Sequence, residues 1–219
     1  FLDISTGEFL VAEGSPDYVD KLLQSLMPAE VIFQKSKRKK FEDDFGNAFH
    51  TYMLDDWAFT SDYAADLLNK QFGTKSLKGF GISDIDNGVI AAGVALHYLK
   101  ETHHNQTKHI LNIRRIEEDK YVWMDRFTIR NLELFHTAHE GAKTLIDVLD
   151  VSKSAMGSRM LRRWLALPLK DEKKISKRHE VVDELINNSL ISGVLSEEII
   201  NIGDLERLIS KVATLRINP

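Results

Sequence analysis

Four carboxylates stand where they could serve chemistry. Asp3 lies in the opening strand-like stretch, Glu8 follows it across a turn, and Asp62 and Asp66 sit four apart on a helical stretch. Cleaving a phosphodiester with two divalent ions needs several carboxylates converging on metals about 4 Å apart. Nothing in the spacing of these four forces them together, so metal-dependent cleavage is the alternative reading and not the leading one. A second set is His136 and His139, three apart, with Glu133 and Glu140 nearby. On a helix, residues i and i+3 share a face, so a weak metal site is geometrically open. The text is not H-E-x-x-H and fixes no third ligand, and a structural or surface role is preferred. His103 and His104 fall in a polar turn and carry no assigned role.

Two basic features suggest phosphate contacts. Residues 35–40 read Lys-Ser-Lys-Arg-Lys-Lys, but Glu42, Asp43 and Asp44 follow at once. Opposite charges this close cancel one another's field within a Debye length of roughly 8 Å, so a solvated loop is the preferred reading. Arg159, Arg162 and Arg163 beside Trp164 could touch a nucleic-acid backbone, yet an arginine face opposite an apolar face is also an ordinary solvated helix. The latter is preferred.

Several machineries are missing from the text. No stretch matches G-x-x-x-x-G-K-[ST]; Gly73-Thr74-Lys75-Ser76 lacks the spacing. Gly79-Phe80-Gly81 is not completed as a dinucleotide motif, because residue 84 is Asp, and it reads as a tight turn. No nucleophile elbow of the G-x-S-x-G type is present. With no cysteine, disulfides, thiolate metal sites and cysteine nucleophiles are excluded, which fits a reducing compartment. Asn105-Gln106-Thr107 matches a glycosylation sequon but no secretory signal accompanies it.

The 219 residues are 43% hydrophobic, enough for one large core or two modest ones. The net charge of −4 exerts no global pull toward nucleic acid or anionic membrane. No apolar run approaches the roughly 18–20 residues that a membrane-spanning helix needs. Phe1-Leu2-Asp3-Ile4 reads as strand without a lead-in, and Thr214 to Pro219 follow helical text directly. The expectation is an interior piece of a longer protein.

The elements that must position these residues come in two styles. Residues 1–13 read as a hairpin about Thr6-Gly7. Ser15, Pro16 and Asp17 open a helix with Val19, Leu22, Leu23 and Leu26 inward, and Pro28 ends it. Residues 30–34 read as a short buried strand. The spacing predicts a helix over 61–72, with Ala64, Leu67, Leu68 and Phe72 inward and Gly73 as its stop. Asp86 or Asn87 would cap the next helix, whose stretch 90–99 is apolar on nearly all sides and therefore buried. Further strands are expected at 109–113 and 121–124. Beyond residue 125 helices dominate. Ser154, Asp171 and Asp204 are expected N-caps. The first of these helices should face inward through Met156, Met160, Leu161 and Trp164, and the second through Ile175, Val182, Leu185 and Ile186. The third should do so through Leu205, Leu208, Ile209 and Val212. Residues 127–135 fit strand or helix. The charge also shifts: residues 1–125 hold 14 basic and 20 acidic side chains, residues 126–219 hold 15 and 13. The fold class is thus an α/β domain with a partly antiparallel sheet, residues 1–114, followed by a helical one, residues 115–219.

Longer motifs carry a resemblance. The opening Leu2-Asp3-Ile4-Ser5-Thr6-Gly7-Glu8-Phe9 resembles the first strand and turn of the connector domain of the MutS family. Asn69-Lys70-Gln71-Phe72-Gly73 with Leu77-Lys78-Gly79-Phe80-Gly81, and Ala91-Ala92-Gly93 through Tyr98, are similar to the connector's later text. Met124-Asp125, Thr128 and Arg130-Asn131-Leu132-Glu133-Leu134 resemble the entry to that family's core domain, continued by Thr144-Leu145 and Val148-Leu149-Asp150. Met156-Gly157-Ser158-Arg159-Met160-Leu161, Arg163-Trp164-Leu165 with Pro168, then Arg178, and Gly203-Asp204-Leu205-Glu206-Arg207 complete the set. His179 stands where many members have Gln, and Asp66-Leu67 departs from a more polar, Gln-rich text.

The resemblance implies a ribonuclease-H-like connector without nuclease activity and the start of a helical core, with no catalytic residue, metal or cofactor of this chain's own. The rival implied by the same fold is a ribonuclease-H-like nuclease using Asp3. The resemblance further implies a parent that binds mismatched duplex DNA, is an ATPase using ATP and Mg in a domain outside this chain, is a homodimer, and works in the bacterial cytoplasm at the nucleoid. It implies a relay between the two ends of that parent, and docking of MutL at the connector. By motif position, Asp66, Asn69 and Lys70, read as exposed on the helix 61–72, are the implied interface.

Overall fold

The computed structural model describes residues 1–102, 107–139 and 141–213. Among them the chain divides into two compact units, one built from residues 1–23, 27–116 and 209–213, the other from 24–26 and 117–208.

The first unit opens with the expected hairpin. Strand β1 (Leu2–Asp3) pairs antiparallel with β2 (Glu8–Val11), Leu2 opposite Phe9. Gly7 takes φ +75° at the turn, and its N–H donates to the Asp3 carbonyl at 2.8 Å. Helix α1 (Pro16–Leu26) starts as its sequence dictates: the Ser15 hydroxyl accepts from the Tyr18 N–H at 3.2 Å, and Pro16 has no N–H to lose there. Its most buried line is Tyr18, Leu22 and Ser25, rotated from the expected stripe; Val19, Leu23 and Leu26 are half-buried. The rotation follows from Tyr18, whose hydroxyl reaches the Ile116 carbonyl at 3.4 Å.

Strand β3 (Val31–Gln34) pairs in parallel with β4 (Thr51–Leu54), a strand the sequence reading missed. Between them, the basic run is no loop. Residues 35–37 make a 3-10 turn that passes into helix α2 (Arg38–Phe45), with Phe41 buried and stacked 4.2 Å from Phe33. That one apolar anchor folds the run into a helix, while all of 35–40 stay exposed.

Helix α3 (Ser61–Phe72) buries Ala64, Leu67 and Leu68 and stops at Gly73, φ +62°, as expected. Helix α4 (Asp86–Glu101) buries Val89, Ala92, Gly93, Val94, Leu96 and Leu99. Its N-terminus is capped from a distance: Glu13 accepts from the Gly88 N–H at 3.0 Å and from the Asn87 side chain at 3.2 Å. Neither Asp86 nor Asn87 serves as the cap, since Ile85 holds that position without a side-chain bond. The stretch 109–113 is not a strand. Gln71 donates to the carbonyls of Thr107 and Ile110, at 2.7 and 3.0 Å, and so withdraws them from any ladder. Ile110 and Ile113 are buried all the same, and pairing begins only at β5 (Arg114–Arg115), parallel to β2. The sheet order is β1-β2-β5, mixed in direction, with β3-β4 as a separate pair. Phe9, Val11, Leu68, Ile82, Val89, Leu96 and Ile110 belong to one core cluster.

In the second unit the strand expected at 121–124 reduces to a bridge between Tyr121 and Leu169, flanked by a bond from the Val122 N–H to the Pro168 carbonyl at 2.7 Å. The ambiguous 127–135 resolves into α5 (Arg126–Asn131), capped by Asp125, then a turn with Glu133 at φ +44°. Helix α6 (Leu145–Leu149) carries a capping box between Thr144 and Asp147. Helices α7 (Ala155–Ala166) and α8 (Glu172–Asn187) are capped by Ser154 and Asp171, as expected. Helix α9 (Ser189–Asn201), unforeseen, is capped by Asn188. Asp204 caps α10 (Leu205–Ala213) through the Arg207 N–H at 3.2 Å.

The inward faces expected for these helices are not buried. Met160, Trp164, Val182, Ile186, Leu205, Leu208, Ile209 and Val212 are all exposed, and no residue of α8 or α9 is buried. Apolar periodicity reports which face seeks a partner; it does not supply one.

Candidate functional site

The hairpin sets Asp3 opposite Glu8 in register, but each makes its own local bonds, and Asp62 and Asp66 lie on α3. Asp3 accepts from the Ser5 N–H at 2.8 Å and the Ser5 hydroxyl at 2.7 Å. Burial pushes its pKa up, but these bonds and those of Thr6 outweigh burial and hold it below the ordinary carboxylate value. Glu8 meets Arg114 at 3.3 Å, and Asp66 meets Lys70 at 2.6 Å. Asp62 is exposed in the first turn of α3. Among the described residues no group of three or more His, Asp or Glu side chains is placed to hold a metal ion. The nuclease reading therefore gains nothing from the geometry. His136 and His139 lie on exposed, non-helical chain, and Glu133 accepts from the Thr137 hydroxyl at 2.8 Å instead. Glu140, His103, His104 and the first two sequon residues lie outside the described residues.

The structure separates the three residues singled out on α3. Asp66 and Lys70 are exposed and bonded to each other one turn apart; the hydrogen bond and charge of Asp66 hold the Lys70 ammonium above its ordinary value. Asn69 is not exposed as expected. It is half-buried, with a buried Oδ1 that accepts no hydrogen bond. The helical step puts it at the edge of the Asp66–Lys70 face, where its amide oxygen is covered.

Sequence reasoning missed the aromatic neighbours of that ridge. Trp57, 57% exposed, sits edge-on to Tyr63 and His97, with ring centroids 5.3 and 5.1 Å away. Tyr63, three residues before Asp66, shares a hydrogen bond of 2.9 Å with His97 Nδ1. Only the proximity of Trp57 to the start of α3 in the text hinted at this; His97 is brought in by tertiary packing.

The basic features also change meaning. Lys35 lies 3.7 Å from Asp55, and Arg38 bonds Glu42 at 2.8 Å. A cavity of about 430 Å³ is lined by Phe33, Phe41, Phe49, Met53, Arg38 and Glu42 among others, and none of the candidate carboxylates or histidines reaches it. In the second unit Arg159 is not a solvated arginine. It forks onto Asp204 at 2.7 and 2.8 Å and reaches Glu206 at 2.5 Å, with only 24% of its side chain exposed. Arg162 lies 5.2 Å from the Phe135 ring, and Arg178 covers Trp164 at 3.6 Å.

The described residues thus define an α/β unit and a helical unit fastened by ion pairs and caps. Their motif residues hold structure: Gln71 ties the 107–110 turn, and Arg159 joins the two motifs at 156–161 and 203–207. Comparison with known proteins gives the class its name. Residues 1–111 match the family model for MutS domain II, and residues 127–219 match that for MutS domain III. Over all 219 residues the chain is 55% identical to the DNA mismatch repair protein MutS of Christiangramia forsetii. It is 53% identical to that of Flavobacterium johnsoniae and 50% identical to that of Bacteroides fragilis. It covers 25% of each of these proteins, so the chain spans about a quarter of the length of the curated relatives it matches. The chain belongs to the MutS family of DNA mismatch repair proteins. No helix among the described residues is long and apolar enough to cross a membrane.

Proposed function

We propose that this chain is a coupling and docking module of a mismatch-repair MutS: residues 1–114 a connector of ribonuclease-H-like descent, residues 115–219 the opening of the core. In this reading it makes and breaks no bonds. The parent binds mismatched duplex DNA, hydrolyses ATP with Mg in a domain outside this chain, acts as a homodimer in the bacterial cytoplasm, and uses this module to relay state between its ends. The observation that carries the reading is the match, end to end, to two consecutive MutS domains. A rigid α3–α4 pair and a charge-fastened helical unit suit a relay, which needs stiff elements that move as bodies.

The docking face is the exposed ridge of α3, and the partner is MutL. Asp66 and Lys70 are the contacts; Asn69, half-buried, shapes the ridge from beneath. Titration of the labelled chain with MutL, followed by fluorescence anisotropy, tests this. Asp66→Lys and Lys70→Glu are expected to weaken binding several-fold while leaving the circular dichroism spectrum unchanged. Equal binding by both variants removes α3 from the interface; no binding by any form removes MutL from the reading.

A further inference from the structure

We infer that Asn87 is a latent site of spontaneous deamidation, and that Glu13 holds it closed. Asn87-Gly88 is the one Asn-Gly pair in the chain. An asparagine followed by glycine is the pair most open to this reaction, because no side chain shields the nitrogen that attacks. Here packing requires the glycine. Gly88 is buried at the start of α4, and a β-carbon built on it would lie 2.9 Å from Ile85 Cδ1 and 3.0 Å from Val11 Cγ2. Asn87 beside it is exposed, so water reaches its amide. The labile pair is thus a consequence of the close approach of α4 to β2.

The reaction needs only water. The Gly88 nitrogen bonds to Asn87 Cγ and the Cγ–Nδ2 bond breaks. The Gly88 proton passes through solvent to the departing nitrogen, which leaves as ammonia. Water then opens the five-membered imide at either carbonyl, giving aspartate, or the isoaspartate in which the main chain runs through Cγ. Both nitrogens that change partners are engaged by one carboxylate. Glu13 accepts from the Gly88 N–H at 3.0 Å and from Asn87 Nδ2 at 3.2 Å, one bond to each oxygen. The helix does not hold the Gly88 N–H itself, since the bond from the Val89 N–H to the Ile85 carbonyl, at 2.9 Å, opens its ladder. The ring closes only when Asn87 leaves the helical ψ of about −42°, which sets the Gly88 nitrogen to one side of Cγ. Glu13 therefore slows closure twice: it keeps the first turn wound, and it keeps both nitrogens directed at itself. Reaction reverses the clamp. A carboxylate at position 87 meets Glu13 with like charge, and isoaspartate adds a methylene to the main chain of the first turn. The tie from the segment after β2 to the start of α4 is then lost irreversibly.

This chemistry needs neither MutL, DNA nor nucleotide, so it is read on the chain alone. The chain is incubated at mildly alkaline pH, folded or in urea, and digested with trypsin. Asn87 is the one asparagine of the peptide 79–100. Chromatography with mass spectrometry then counts its conversion to aspartate and isoaspartate. Conversion is expected to be at least about tenfold slower in the folded chain than in urea. Glu13→Ala is expected to raise the folded rate about tenfold, the scale of losing hydrogen bonds to a charged group. Glu13→Gln, which keeps one acceptor without the charge, is expected to fall between. The rate at Asn47, exposed and outside the clamp, is expected to stay the same. Asn87→Asp, which carries the product carboxylate, is expected to quicken amide exchange over 88–90. No conversion of Asn87 even in urea overturns the site, and equal rates folded and in urea overturn its protection. An unchanged rate in Glu13→Ala overturns the clamp, and so does a slower one, because the carboxylate would then be promoting attack. Unchanged exchange in Asn87→Asp overturns the loosening of the first turn. If Glu13→Ala loses helix by circular dichroism, Glu13→Gln decides: a rate above that of the unaltered chain supports the clamp and an equal one overturns it.

Discussion

A β-carbon built on Gly93 would lie 2.5 Å from Ala64 Cβ, so α3 and α4 touch through the smallest side chains available. The approach is set by sequence at both ends: Ala64 is fully buried on α3, and Gly93 follows Ala92 on the buried face of α4. Backbone helices this close transmit displacement directly, since neither has a flexible side chain between it and the other.

Gly93→Ala is therefore expected to destabilise the first unit despite the higher helix propensity of alanine. Propensity favours the change by up to about 1 kcal/mol, but overpacking against Ala64 costs about 1–3 kcal/mol, and backbone atoms yield less than side-chain tips. Urea unfolding followed by circular dichroism checks this, with a lower midpoint at an unchanged slope as the expected result. Ala91→Gly, at an exposed position of the same helix, should cost only its propensity difference, about 1 kcal/mol.

Gln71 fastens the segment that leads to β5. Its amide donates to the carbonyls of Thr107 and Ile110, and its oxygen accepts from the Thr107 hydroxyl at 3.0 Å. Gln71→Ala leaves three partly buried polar groups to find new partners, at about 1–3 kcal/mol. Amide exchange over 107–113 should quicken well before that of α4, because Ile110 and Ile113 lose their frame while Leu96 and Leu99 do not. Equal protection in the variant would show that burial of the two isoleucines alone holds the turn.

Elements with local signals were legible in the sequence. Ser15-Pro16 starts α1, Gly73 stops α3, and Asp171 and Asp204 cap their helices, because each signal acts within one turn of itself. What was misread depended on distant partners. The α4 cap comes from Glu13, 75 residues away, and 109–113 lost its ladder to Gln71. The charged run 35–40 became helical through one contact of Phe41 with Phe33, which charge counting could not foresee. Helix α9 carries apolar residues on all sides, so it offers no period to detect. Of the residues singled out by motif position, the exposure of Asp66 and Lys70 was legible from the apolar face of α3 opposite them. The burial of Asn69, the Trp57–Tyr63–His97 cluster and the Arg159 clamp were not, since each rests on residues far apart in the chain.

Asp204 predicts an acid limb of stability. The side-chain hydrogen bonds from Arg159 come first; burial, the next influence, opposes them, and the Arg207 N–H and the charges of both arginines add to the lowering. Together they hold the Asp204 pKa at about 2, below its ordinary 3.8. A carboxylate whose folded pKa is depressed stabilises the fold fully above the unfolded value and loses that contribution as pH falls through the folded one. The window is therefore between about pH 4 and pH 2. Asp204→Asn keeps a capping side chain but has no proton to take up, so its stability relative to the parent should improve as pH falls across that window. Chemical unfolding at half-unit steps of pH measures the difference; parallel curves for the two proteins would show that Asp204 is not depressed.

Helices α8 and α9 set up the opposite expectation from the core. Ile186 and Leu190 are 73% and 82% exposed, and Val194 and Ile200 are 60% exposed each. Side chains that already face water leave little to lose, so Ile186→Lys and Leu190→Lys should change the unfolding midpoint by no more than about 0.5 kcal/mol equivalent. Exposed apolar side chains in this number bind amphipathic dyes, and 1-anilinonaphthalene-8-sulfonate fluorescence should fall in both variants. Ile82→Ala, at a fully buried position of the first unit, provides the contrast: about 2–5 kcal/mol lost through the cavity it opens. If the two lysine variants cost as much as Ile82→Ala, these side chains are buried in solution, and α8 and α9 pack against something that the exposed arrangement does not contain.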